Sequence, residues 1–202
     1  MKKVFFFTIC CLATTLMYSQ NIKKSEDLSK EIEYPKALID YEDFKNLVTE
    51  VETHRANRLI NLDKFLEMSK KQNVVILDTR SDYRFERKHL KGAIHLDFTD
   101  FTQENLQKLV PDTNTIILIY CNNNFKGDQI DFATKMYKPN NGPETQILSN
   151  RKPIMLALNI PTYINLYGYG YKNIYELDEL VDVNDSRIQF EGTEFNKALS
   201  FF

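Results

Sequence analysis

Two unbroken apolar runs constrain this chain more than any other feature. One is Val74–Leu77 in NVVILDTR, and the other fills TIILIY at 115–120. Both are too short for helices and rich in β-branched residues, and neither alternates with polar residues. A run of that kind is a strand covered on both faces, as in a parallel sheet. The chain between them carries helical patterns, which suits the crossover that parallel strands need. The reading is therefore an α/β layered domain with a mostly parallel sheet.

The rest of the chain fits that alternation. YEDFKNLVTEVETHR sets Phe44, Leu47, Val48 and Val51 at helical spacing and predicts a helix over 41–55 with a core-facing stripe. A short strand is expected near 58–61, then a helix with Asp63 as its N-cap. SDYRFERKH reads as a short helix, GAIHL as a strand, and TQENLQKLV as a helix stopped by Pro111. Residues 127–152 hold the turn signals GD, KPNNGP and SNRKP. Order resumes with a helix capped by Asn159, with Pro161 in its first turn and Gly168 and Gly170 at its end. KNIYEL gives a last strand, and the tail from 183 reads as an extended appendage.

The N-terminus has a different character. MKKVFFFTICCLATTLMYSQ runs from two lysines through a short apolar stretch to small and polar residues. That is the layout of a secretory signal over 1–20, with a retained N-terminal anchor as the alternative. Residues 21–57 then form a polar and helical extension. The whole chain carries a formal charge of −2, and losing Lys2 and Lys3 leaves about −4. So mild a charge argues against nucleic acid or a polybasic membrane face. The expectation is an exported protein, periplasmic or extracellular.

Cysteine use points to one residue. Cys10 and Cys11 fall in the signal, which leaves Cys121 alone in the mature chain. An exported protein with a single thiol cannot close an internal disulfide, so that thiol is paired between molecules, reactive, or packed as a small hydrophobe. Cys121 stands where a buried strand ends, at the edge where open α/β sheets hold their ligands. Asn122, Asn123 and Asn124 follow, and asparagine tolerates the backbone angles of a curled loop. Such a loop can aim backbone N–H groups at an anionic sulfur.

VVILDTRSDYRFERKHLKGAIHL resembles the N-terminal half of rhodanese-like domains, through Asp78, Arg80, Phe85, His89, Leu90, Gly92, Ala93 and Ile94. TIILIYC resembles that family's strand running into its active-site cysteine, and LYGYGYKNIYEL its closing helix–glycine–strand unit. The resemblance covers 58–182. It implies about five parallel strands with helices on both faces. It also implies a sulfurtransferase: Cys121 carries sulfane sulfur as a persulfide, with Asn122, Asn123, Asn124, Phe125 and Lys126 as the substrate-binding loop. A sulfur donor and a thiol acceptor are the implied partners. Asp78, Arg80 and His89 are read as structural support, and no metal or cofactor is expected.

The departures define the alternatives. The family loop ends in arginine where this chain has Lys126, and lysine lacks the bidentate fork. The helix that should follow at once is delayed to Asn159, an insertion of about thirty residues over 127–158. That insertion could cover the thiol, supply Lys135, Arg151 or Lys152 in place of the arginine, or bind a protein partner. The second reading is therefore a rhodanese-like binding module without turnover. A cysteine phosphatase would need arginine at 127, which is Gly127, and a thiol oxidoreductase would need a second cysteine near Cys121.

Overall fold

A computed structural model of the chain describes residues 34–137, 154, 155 and 157–194. The predicted signal over 1–20 and most of the insertion, with Arg151 and Lys152, lie outside the described residues. The chain divides into 1–40 and 41–202. In the first unit, 34–40 form no helix or strand and are exposed.

In the second unit the elements run in order. They are α1 (Tyr41–Ala56), β1 (Leu59–Ile60), α2 (Leu62–Met68), β2 (Val74–Asp78), α3 (Asp82–Arg87), β3 (His89–Leu90), β4 (Ile94–His95) and α4 (Gln103–Leu109). Next come β5 (Ile116–Tyr120), β6 (Phe125–Lys126), β7 (Met136–Tyr137), β8 (Ile154–Met155), α5 (Asn159–Gly168), β9 (Ile174–Leu177), β10 (Val181–Asp182) and β11 (Phe190–Glu191). The main sheet has five strands in the order β1-β9-β5-β2-β4, and each neighbouring pair is parallel. The two apolar runs are its central neighbours, in register from Val74↔Ile116 to Asp78↔Tyr120. Central parallel strands bury both faces, which is why neither run could afford a polar alternation.

Strand geometry sorts β5 between two cores. Ile117 and Ile119 pack with Leu106 of α4, Ile164 and Leu166 of α5, and Val51 of α1. Leu118 and Tyr120 face the other way, onto Leu62, Phe65 and Met68 of α2. Helices thus cover both faces of the sheet.

Several local expectations change on contact with tertiary structure. Only Val51 of the α1 stripe is buried, with Leu47 partly packed, while Phe44 and Val48 are 45% and 39% exposed. The cap of α2 is Asn61, whose side chain accepts from Lys64 N–H at 2.9 Å. Asp63 sits in the first turn, where its charge favours the helix dipole instead. Leu158 occupies the N-cap of α5 without a side-chain bond, and Asn159 is the first helical residue. The tail also folds back. β10 pairs with β6, β11 pairs antiparallel with β3, and Ile188 and Phe190 join the second core. Among the described residues, no helix is long and apolar enough to cross a membrane.

Candidate active site around Cys121

β5 delivers Cys121 to the carboxyl edge of the sheet, where the residue is 3% exposed. The next residues, Asn122–Asn124, make one 3-10 turn. That turn is locked by a reciprocal pair of bonds. Cys121 N–H donates to Asn124 Oδ1 at 2.9 Å, and the Asn124 N–H donates to the cysteine sulfur. Backbone N–H groups of Leu158 and Asn122 also lie close enough to the sulfur to favour its anionic form. Three amides therefore converge on Sγ, two from the turn and one from the start of α5. The expected curl is present, and α5 returns its N-terminus to the thiol although the insertion separates them in sequence. Burial nonetheless pushes the thiol above its ordinary pKa, the Leu158 and Asn122 amides opposing it.

Asn124 joins three segments. Its Nδ2 donates to Leu177 O at 2.6 Å and to Glu179 O at 3.3 Å, both at the end of β9. Its Oδ1 also accepts from Asn159 Nδ2 at 3.2 Å. Asn122 Oδ1 lies 3.4 Å from Arg80 Nη1. The side-chain oxygens of Asn123 and Asn159 are buried and have no hydrogen-bond partner among the described residues.

After this turn the chain leaves the thiol. Phe125 is 2% exposed and packs against Phe132 at 4.6 Å and Phe190 at 5.5 Å between ring centroids. Lys126 is exposed on β6, opposite Asp182. Strand alternation explains the split: with Phe125 directed inward, Lys126 must turn outward. The structure thus groups Cys121 with Asn122–Asn124, and sends Phe125 into the core and Lys126 to solvent. Lys135 is also exposed. Gly127, at φ +96°, ends β6, and a Cβ there would press on Val183 at 3.1 Å.

The support beneath the turn is a buried charge network. Asp78 and Arg80 are 0% and 1% exposed. Arg80 Nη2 donates to Asp78 Oδ2 at 2.8 Å and to Lys88 O at 2.7 Å, and Nη1 to Asp131 O at 3.0 Å. The Tyr120 hydroxyl donates to Asp78 and accepts from Leu90 N–H at 3.1 Å. Burial and the neighbouring Asp78 carboxylate hold that phenol well above its usual range. His89 lies elsewhere, stacked on Phe85 at 3.8 Å with Nδ1 2.6 Å from Phe85 O. Among the described residues no group of three or more His, Cys, Asp and Glu is placed to hold a metal ion.

Sequence reasoning missed Asn159 as a neighbour of the thiol turn. Its place before Ile160-Pro161 imitates an N-cap, and nothing local distinguishes a cap from a side chain aimed at another segment.

A parallel open sheet ending its central strand in a thiol ringed by backbone donors defines an α/β protein with a cysteine site at the sheet edge. The family model described as "Rhodanese-like domain" matches residues 61–179, and the chain belongs to that family. Solved structures similar to it include the BH2092 protein from Bacillus halodurans, at 12% identity and TM-score 0.39, covering 74% of this chain and 88% of that one. The Alr3790 protein from Anabaena sp. matches at 14% identity and TM-score 0.32, covering 64% and 77%. No curated protein matches the chain.

Proposed function

We propose that the protein is an exported sulfur carrier of the rhodanese type, with Cys121 as the atom that holds the sulfur. The observation that carries this reading is the convergence of the Asn122, Asn124 and Leu158 amides on Cys121 Sγ. Fixed N–H donors favour the anionic form of a sulfur atom, whether thiolate or persulfide. In the first step the Cys121 thiolate attacks the outer sulfur of a donor such as thiosulfate. The donor S–S bond breaks, sulfite leaves with its electron pair, and Cys121 becomes a persulfide. An acceptor thiolate then attacks the terminal sulfur, takes it away, and restores the Cys121 thiolate. No external oxidant or reductant is needed.

Burial raises the thiol pKa, so the thiolate is a minority species at neutral pH. Persulfide formation should therefore accelerate with pH and still be rising near the ordinary thiol pKa of about 8.5. Intact mass of residues 21–202 after thiosulfate or polysulfide treatment tests the assignment. One added sulfur is expected, and none in Cys121→Ser; an adduct that persists in Cys121→Ser excludes this carrier.

A second reading is supported by the 3% exposure of Cys121 and the outward turn of Lys126. On that reading the domain binds a protein partner through 127–158 and never turns over. Absence of any adduct across the pH range, with a correctly folded chain, selects it. Export rests on the lysine-led apolar N-terminus. N-terminal sequencing of protein recovered outside the cytoplasm should begin near residue 21.

A further inference from the structure

The start of α5 reaches the thiol without help from chain continuity. Asn159 and Asn124 are 35 residues apart in sequence, with the insertion between them. Leu158, the N-cap of α5, makes no side-chain cap bond. The N–H groups at a helix start have no partner within the helix, and that of Leu158 lies beside Cys121 Sγ. Its place there depends on tertiary contacts of the first turn.

Two side-chain bonds tie that turn. Thr162 Oγ1 and Thr79 Oγ1 are 2.8 Å apart and buried, which fastens α5 to the residue after β2. Asn159 Nδ2 donates to Asn124 Oδ1 at 3.2 Å, and the same oxygen accepts the Cys121 N–H at 2.9 Å. One carbonyl oxygen therefore joins the helix start to the backbone of the cysteine. Asn124 is itself anchored by Leu177 O at 2.6 Å, so Asn159 is tied to a fixed point. For packing alone, asparagine is a poor residue here. Asn159 is 2% exposed, and its Oδ1 has no hydrogen-bond partner among the described residues. A buried amide with one end unpaired is unfavourable, so what the side chain contributes is its Nδ2 donor.

We infer that Asn159 is a positioning residue for Cys121: through Asn124 it fixes the first turn of α5 so that the Leu158 N–H stays beside the sulfur. The inference deepens the sulfur-carrier reading and rests on it for the consequence in turnover. The effect on the thiol itself does not require sulfur transfer.

The pH profile of Cys121 alkylation by iodoacetamide tests it, read by intact mass with Cys121→Ser as the blank. The inflection reports the stability of the thiolate, and the plateau reports access to the sulfur. Losing an N–H donor raises the pKa of an anion's acid, so the inflection in Asn159→Leu should lie about one pH unit above that of the native chain. Thiosulfate-dependent sulfur uptake at neutral pH should fall several-fold, because the thiolate fraction drops about tenfold while each thiolate becomes more nucleophilic. Asn159→Ala should show the same shift and cannot overfill the site. Thr162→Val breaks the other bond of the same turn and should keep the native inflection. An inflection unchanged in both Asn159 variants, an equal shift in Thr162→Val, or failure of both Asn159 variants to fold would overturn the inference. Native sulfur uptake with an unchanged inflection would overturn it and leave the sulfur-carrier reading standing. A shifted inflection in a protein whose native chain takes up no sulfur would sustain it and reject that reading alone.

Discussion

The carboxyl edge of the sheet carries two polar clusters built in opposite ways. At the end of β2, Arg80 directs its side-chain N–H groups to Asp78, Lys88 O, Asp131 O and Asn122 Oδ1, so the five donors of a guanidinium all find acceptors. Tyr120 completes the coordination of Asp78. At the ends of β5 and β9, Asn124 is equally well engaged, but its neighbours Asn123 and Asn159 each keep a buried oxygen without a partner among the described residues. One cluster is complete and holds segments together. The other is complete only at its centre and keeps bonding capacity at its border. The difference teaches what each cluster costs: a saturated network fixes geometry at little penalty, while buried oxygens left unpaired are unfavourable and make the second cluster the weaker junction.

Substitution can break that contrast. Arg80→Met should have the largest effect, because it leaves Asp78 buried without its cation. A loss of about 3–5 kcal/mol is expected in urea unfolding. A much smaller loss would mean that the Asp78 cluster is less dry than its exposure indicates.

Asn124→Ala comes next. It removes the acceptor of the Cys121 N–H and the donor to Leu177 O, with an expected cost of about 1–3 kcal/mol. It should also loosen the turn, so alkylation of Cys121 by iodoacetamide at pH 8 should be faster than in the native chain. Unchanged alkylation would show that the thiol is protected by something other than this turn.

Lys126→Ala should have the smallest effect. The side chain is exposed on β6, so unfolding and thiosulfate-dependent sulfur uptake should both match the native chain. A large fall in sulfur uptake alone would show that Lys126 does the work of the family arginine after all.

Much of the fold was legible because its signal is local. The apolar runs 74–77 and 115–120 declare doubly covered strands, and the structure pairs them directly, in parallel. The thiol at a strand exit was legible for the same reason, since chain order alone places Cys121 at the sheet edge. Phe125 and Lys126 were harder. The family pattern suggests a loop that keeps curling, whereas tertiary packing offered Phe125 an aromatic pocket with Phe132 and Phe190, and β10 offered β6 a strand to pair with. The packing of the tail was hidden on similar grounds, because Ile188 and Phe190 are isolated apolar residues in a polar stretch and gain their burial only from distant partners.

By itself, then, the sequence determined the layered α/β class, the central strands and the position of a single thiol at the ligand edge, because periodicity and chain order are properties of neighbouring residues. Only the tertiary structure decided what surrounds that thiol. Arg80 reaches Asp131, Asn124 reaches Leu177, and Asn159 crosses the insertion to meet Asn124. Each is a hydrogen bond between segments remote in the chain. The orientation of an amide, and so which segment it donates to and which it accepts from, follows from those remote partners and from nothing in its neighbours.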